Sequence, residues 1–330
     1  MRIPTYLSYS SFSLFEKNEE EFYLKHLADT RPARLPQEKP ASVGSAFDAY
    51  AKSALHEALY GPGNDPKYEF PALFEAQVEK HNRDWALEEG RYIFECYKVA
   101  GAYDTLLGLL KLAIKPPRFE FEVRAEILGV PFLGKPDCQF ILPGPVEVVH
   151  DFKVNGYCAK SGTSPVKGYM ICNDGFQATN GKQNKSHGQA HKQFRPIDVH
   201  GYTIDEGCLE DCDTGWADQL SMYGWALGQP IGGNTVLSID QIVAKPVPEG
   251  RPLLRVSSYR ARVRKSYQEH LANRLKKCWE VVQSGHIFRD MSREDSDARM
   301  SLLDGQAMAT QGGTPEDDFF NTAVRAKYRG

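Results

Sequence analysis

The sequence predicts a mixed α/β (α+β) protein: a mixed central sheet flanked by helices, with a helical N-terminal part. Three observations carry this expectation. Helical periodicity fills the chain to about residue 115, and alternating apolar and polar residues then run to about 154. A helix, two strand-like stretches and a final helix follow between about 216 and 284.

Each element has a local reason. Ser8, Ser10 and Ser11 offer N-caps to a segment whose Phe12, Phe15, Phe22, Tyr23 and Leu27 repeat at helical spacing. Pro32, Pro36 and Pro40 mark a loop, and a helix of small residues over about 42–59 is stopped by Gly61, Pro62 and Gly63. Further helical periodicity covers about 71–81 and 85–114, ended by Pro116 and Pro117. Strands are predicted over 119–128, 130–142 and 146–154, separated by Gly129 and by Pro143, Gly144 and Pro145, as two hairpins in succession. Residues 156 to about 212 are rich in Gly, Asn, Lys and His, with little periodicity. So long a stretch is uncommon in a compact domain unless it is functional or disordered. A helix over 216–227 puts Trp216, Leu220, Tyr223 and Leu227 on one face; strands at 235–244 and 253–260 and a helix at 265–284 follow. The organisation so predicted is a helical part at 1–117, a core at 118–284 with an insertion at about 156–212, and a polar extension at 285–330, together one compact domain.

Composition narrows the class. The 330 residues carry 40 Lys+Arg against 43 Asp+Glu, a net charge of −3, with 41% hydrophobic and 11% aromatic residues. That excludes a disordered or low-complexity chain and a globally basic coat for nucleic acid, though not a local basic groove. No apolar run approaches a membrane span, and the first residues lack the apolar core of a signal peptide. Seven cysteines, an odd number, argue against a disulfide framework and for a reducing cytoplasm.

The strand block carries the chemistry. Asp137 follows Pro136 inside the second predicted strand, and Asp151 and Lys153, two apart on the third, point to one face. Two carboxylates on one face suit Mg²⁺ or Mn²⁺. A lysine beside them can position a water or stabilise charge on a phosphate. The plainer alternative is a salt bridge at the edge of the sheet. Against it stands the apolar character of 148–154, which gives a central charge little reason to be there unless something holds it.

Pro136-Asp137 followed by Asp151-Phe152-Lys153 resembles the signature of the PD-(D/E)XK nucleases. The version here is similar to the RecB-like branch, shared with CRISPR-associated RecB-like nucleases and phage exonucleases. The opening Tyr9-Ser10-Ser11-Phe12-Ser13-Leu14-Phe15 resembles the start of that branch, Val43-Gly44-Ser45-Ala46-Phe47-Asp48 its G-x-x-x-H helix, and Gln219-Leu220-Ser221-Met222-Tyr223 its Q-x-x-x-Y helix, in the family's order.

The resemblance implies a restriction-endonuclease-like core in which Asp137 and Asp151 bind Mg²⁺ or Mn²⁺, the Phe152 carbonyl adds a ligand, and Lys153 acts on the water. Gln219 and Tyr223 would touch the DNA backbone or brace the site. Asp48 stands where the family usually has a metal-binding His. It is either a hard ligand in that role or a solvated helix residue. The cysteines that hold an iron–sulfur cluster in some relatives have no counterpart, so no cluster is expected. The implied activity is DNA hydrolysis leaving 5′-phosphates, by an exonuclease of recombination, repair or phage DNA processing. A structure-selective or CRISPR-adaptation endonuclease and a catalytically silent DNA-binding protein are the alternatives. No phosphate-loop motif G-x-x-x-x-G-K-[ST] occurs, so a helicase would be a separate partner, and a homo-oligomer is possible.

Two further features bear on partners. In the insertion, His187 and His191, with Cys208 and Cys212, have spacings a structural zinc site could use; a mobile loop facing DNA is the other reading. Lys153, Lys160, Lys167, Lys182, Lys185, Lys192 and Arg195 there face only Asp174 and Asp198. A second basic run holds Arg251, Arg255, Arg260, Arg262, Arg264, Lys265, Arg274, Lys276 and Lys277 against Glu269. Together with a two-carboxylate site, that run predicts a nucleic-acid channel in which Arg260, Arg262, Arg264 and Lys265 touch DNA. The bland reading is a solvated helix face.

Overall fold

The structure, a computed structural model, describes residues 3–29, 32–160, 162–166, 168–181, 196–199 (backbone only) and 202–284. The chain divides into two compact units. The larger comprises Gln37–Val123 and Gly134–Glu269; the smaller comprises Met1–Pro36, Arg124–Leu133 and His270–Gly330. The first 117 residues are therefore not one part: those from Gln37 onward pack with the sheet, and the preceding ones belong to the smaller unit.

In the smaller unit, α1 (Tyr9–Lys17) starts on the serines the sequence singled out. The Ser8 side chain accepts from Ser11 N, and the Ser11 side chain accepts from Ser8 N, a reciprocal cap. Then come α2 (Glu19–Phe22) and a π-helical turn at Tyr23–Leu27. A hairpin of β2 (Val123–Ile127) and β3 (Val130–Gly134) meets Leu7 through backbone hydrogen bonds to Pro131 and Leu133.

The larger unit is built on a seven-stranded mixed sheet of order β1-β4-β5-β10-β11-β6-β7. Its strands are β1 (Arg118–Phe119), β4 (Cys138–Leu142), β5 (Val146–Asn155), β6 (Met170–Cys172), β7 (Ala178–Asn180), β10 (Val236–Lys245) and β11 (Leu253–Ala261). A small hairpin, β8 (Pro196–Val199) with β9 (Tyr202–Asp205), forms a separate two-stranded sheet, and its Asp205 accepts the Arg260 N–H of β11 at 3.0 Å. β5 and β10 are parallel neighbours, joined through α7 (Thr214–Ala226); the other pairs are antiparallel.

One face of the sheet packs on α3 (Lys39–Tyr60), α5 (Arg83–Val99) and α6 (Ala102–Lys111), where Val43, Phe47, Tyr97 and Leu106 meet Phe140, Val148, Phe152 and Val256. A short α4 (Phe70–Gln77) lies against α3. Gly90 lets α5 approach α3 closely: a Cβ there would lie 2.5 Å from Ala46 Cβ. The last helix, α8 (Lys265–Ser284), starts in the larger unit. Among the described residues no helix is long and apolar enough to cross a membrane.

Three details differ from the sequence expectation. The helix expected over 85–114 is two, broken where Gly101 takes φ 80. The strands expected over 119–128 and 130–142 are each two: β1 and β4 pair in the main sheet, β2 and β3 in the hairpin, and the second break falls at Pro136, which can neither donate to a ladder nor leave its fixed φ. Asp137 therefore sits in the turn that enters β4, not inside a strand. Finally, the insertion contributes β6 and β7 to the edge of the main sheet.

Candidate metal centre

The site forms where β4 ends. Cys138 opposite His150 is the last β4–β5 pair, so the β5 backbone beyond it lacks a strand partner on that edge. Asp137 takes the partner's place: its Oδ2 accepts the Phe152 N–H at 3.0 Å. In an extended strand the carbonyl of a residue points to the same edge as its N–H, which aims the Phe152 carbonyl toward Asp137 as well.

Alternation along β5 then divides the charges. Phe152 packs edge-on against Phe47 and Tyr97 on the α3–α5 face, while Asp151 and Lys153 point to the α7 face. There Lys153 Nζ pairs with Asp151 and donates to Gln219 Oε1 at 2.9 Å, and Gln219 Nε2 donates to the Tyr223 hydroxyl at 3.1 Å. The spacing that put Gln219 and Tyr223 on one helix face thus becomes a relay that holds Lys153. Tyr223 itself is buried.

From the other face α3 supplies Asp48 and, one turn later, Lys52. Lys52 is fully buried; its Nζ lies 2.7 Å from Asp48 Oδ2 and 2.9 Å from Asp137 Oδ1, and it also pairs with Glu120. Glu120 further receives Lys135 Nζ at 2.7 Å and Gln77 Nε2 at 3.3 Å. Its backbone takes φ 44, a left-handed conformation uncommon for a non-glycine residue, and its N–H donates to the Asp137 carbonyl at 3.1 Å. One carboxylate oxygen from each of Asp48, Glu120 and Asp137 lies within 4.8 Å of the others. A cleft of about 310 Å³, lined by Ser45, Asp48, Gln77 and Glu120 among others, opens onto them.

The electrostatics follow from this crowding. Burial would raise Asp137, yet Lys52, a hydrogen bond with the Asp151 carboxyl and the Phe152 N–H hold it well below the usual carboxylate range. Burial and the neighbouring Asp137 push Asp151 well above that range, so Asp151 carries the proton the two share. Burial also lifts Asp48, to about 7, against the pull of Lys52. Lys52 and Lys153 are both shifted upward: burial opposes each charge, and the facing carboxylates outweigh it. Both are ammonium ions at neutral pH.

A carboxyl pair sharing a proton, and an Asp48 Oδ1 that is buried with no hydrogen-bond partner among the described residues, suit a hard divalent cation. The structure thus brings Asp137, Asp151, Phe152, Lys153, Gln219, Tyr223 and Asp48 into one region. The sequence reading missed Lys52 and Glu120. Lys52 had one signal, its i,i+4 spacing from Asp48 in a helix of small residues; Glu120 had none, being one polar residue in an alternating stretch.

The basic run is where the structure departs most from expectation. Arg260 is 8% exposed and donates to Asp240 Oδ1 at 2.9 Å, so it holds β11 to β10 and does not face a solvent channel. Arg255 is buried on Ser164 and Tyr169. Arg264 binds Glu210 and Asp211, because the turn after Cys208 brings both acids to it. Arg262 is partly buried, and Lys265 is exposed, 3.7 Å from Glu269. Arg255 and Arg260 fall on opposite faces of β11, and acidic partners take up Arg260 and Arg264, so the run does not make a basic face. Of the zinc candidates, His187 and His191 lie outside the described residues. Cys208 and Cys212 flank a 3-10 turn at Leu209–Asp211, with the Cys212 thiol 4.0 Å from the Cys208 carbonyl.

No family model matches the chain, and no curated protein matches it. Among solved structures, one described as "Crystal structure of SSO0001" is similar over 86% of this chain and 96% of its own, with 11% identity and a TM-score of 0.24. At that TM-score the likeness carries no weight for fold or function.

Proposed function

We propose that this chain is a metal-dependent deoxyribonuclease that hydrolyses phosphodiester bonds, working as an exonuclease on DNA ends in recombination, repair or phage DNA processing. The supporting observation is the geometry at the end of β4. Asp137 accepts the Phe152 N–H at 3.0 Å, and the adjacent Asp151 pairs with an ammonium, Lys153, that Gln219 holds in place.

Asp137, Asp151 and the Phe152 carbonyl would hold Mg²⁺ or Mn²⁺. When bound, the ion supplies Lewis acidity to the scissile phosphate and lowers the pKa of a water. Lys153 stays protonated, so its part is to orient a water and offset charge on the phosphate; it is not the general base. Gln219, backed by Tyr223, fixes the direction of the Lys153 Nζ. Cytoplasmic DNA and a separate helicase or recombination protein are the partners this reading implies.

The test is digestion of end-labelled linear and closed circular DNA with Mg²⁺, Mn²⁺ or EDTA, alongside Lys153→Ala. Metal-dependent loss of label from linear DNA alone, lowered by about 100-fold or more in the variant, is expected. Cutting of the circle would make it an endonuclease. Salt-sensitive binding with no cleavage would leave a silent DNA-binding protein.

A further inference from the structure

Lys52 is fully buried in the larger unit, and the reaction described above gives it no task. Three separate pieces of chain converge on it: Asp48 on its own helix, Glu120 just after β1, and Asp137 in the turn that enters β4. Its ammonium has no exposure and lies 2.7 Å from Asp48 Oδ2 and 2.9 Å from Asp137 Oδ1. Oxygens of all three carboxylates fall within 4.8 Å of one another, close enough to ring one cation. An apolar side chain in its place would leave three carboxylates without their shared ammonium, so it is charge rather than packing that holds a lysine here. Asp48 also keeps a buried oxygen, Oδ1, that Lys52 does not use.

We propose that Lys52 is the built-in second cation of this centre: its ammonium occupies the position among Asp48, Glu120 and Asp137 that a second divalent ion would otherwise take. A single ion is then left to the Asp137–Asp151 side. The ammonium offsets charge on Asp137 through Oδ1 and leaves Oδ2 directed at the Phe152 backbone and β5. This inference deepens the nuclease reading and rests on it only for the ion on the Asp151 side.

The experiment is Mn²⁺ counting by electron paramagnetic resonance on the full chain, wild type against Lys52→Met, with Lys52→Arg as the variant that keeps a cation. Lys52→Met is expected to bind one Mn²⁺ more than wild type, and Lys52→Arg the same number as wild type. Equal counts for wild type and Lys52→Met, or two ions on the wild type, overturn the proposal. A wild type that binds none beside a Lys52→Met that binds one would uphold the role of Lys52 and remove the nuclease reading. Should Lys52→Met fail to fold, Lys52→Met/Glu120→Gln has one fewer uncompensated carboxylate. An added Mn²⁺ relative to Glu120→Gln alone supports the proposal, and no added ion overturns it.

Discussion

His150 and Asp151 are neighbours on β5 and face opposite sides of the sheet, and the difference decides what each can do. Asp151 meets Lys153 and Asp137. His150 is fully buried on the other face, with Nδ1 2.7 Å from Ser238 Oγ and Nε2 3.9 Å from Asp240 Oδ2. Burial lowers its pKa from 6.5 to about 4, so the imidazole is neutral in the folded protein. A histidine depressed on folding contributes full stability above its unfolded value, and loses it as pH falls from about 6.5 through about 4. The expected loss over that window is on the order of 3 kcal/mol, from the shift alone. Urea unfolding at a series of pH values should show it in wild type and a flatter curve for His150→Gln.

Arg260 belongs to the same buried network, where Tyr97 also donates to Asp240 at 2.5 Å. Removing one partner of a buried pair strands the other, so Arg260→Ala should cost about 3–5 kcal/mol in unfolding free energy. A variant of unchanged stability and weakened DNA binding would return Arg260 to the role the sequence suggested.

At the level of elements, the close approach of α3 and α5 sets where Asp48 and Lys52 stand. Gly90 has no room for a methyl: its Cβ would meet Ala46 Cβ at 2.5 Å and the Ala46 and Phe47 backbone at 3.1 Å. Gly90→Ala should therefore destabilise by about 1–3 kcal/mol despite the better helix propensity of alanine. Ala46→Gly in the same chain should recover part of the loss. Thermal melts of the two single variants and the double variant measure this; a Gly90→Ala protein as stable as wild type would show that α3 can shift without cost. The interruption at Pro136 is the other element-level feature with chemical consequence. By ending one strand and starting another it frees the β5 edge that Asp137 then caps, and so it creates the junction where groups from both faces of the sheet meet.

For the molecule as a whole, net charge and linear charge runs say little about a DNA surface. The chain carries −3, and Arg251, Arg255, Arg260, Arg264 and Arg274 of the late basic run are each engaged with a carboxylate, a hydroxyl or an aromatic ring. A divalent ion is the stronger global probe, because a ligand that binds only the folded state stabilises it by mass action, about 2.7 kcal/mol at 100 times its dissociation constant. Mn²⁺ should raise the Tm of the full chain, EDTA should reverse the rise, and Asp151→Asn should lose most of it. An equal rise in Asp151→Asn would move the ion away from β5.

Much of the architecture was legible in the sequence because its signals are local. Ser8 with Ser11 and Gly61 bound helices, and the strand-like runs at 146–154 and 235–244 stand out whatever their partners. Asp137, Asp151 and Lys153 were legible as a set because short turns and two-residue periodicity bring them together with little help from the rest of the chain. Only tertiary structure decided which strands share a sheet, which arginines are buried, and that Lys52 and Glu120 complete the acidic cluster. Those outcomes depend on residues 68 and 85 positions apart meeting at one ammonium, and on the face each strand residue presents once its neighbours are chosen. No periodicity along the chain encodes a distance in space between segments so far apart.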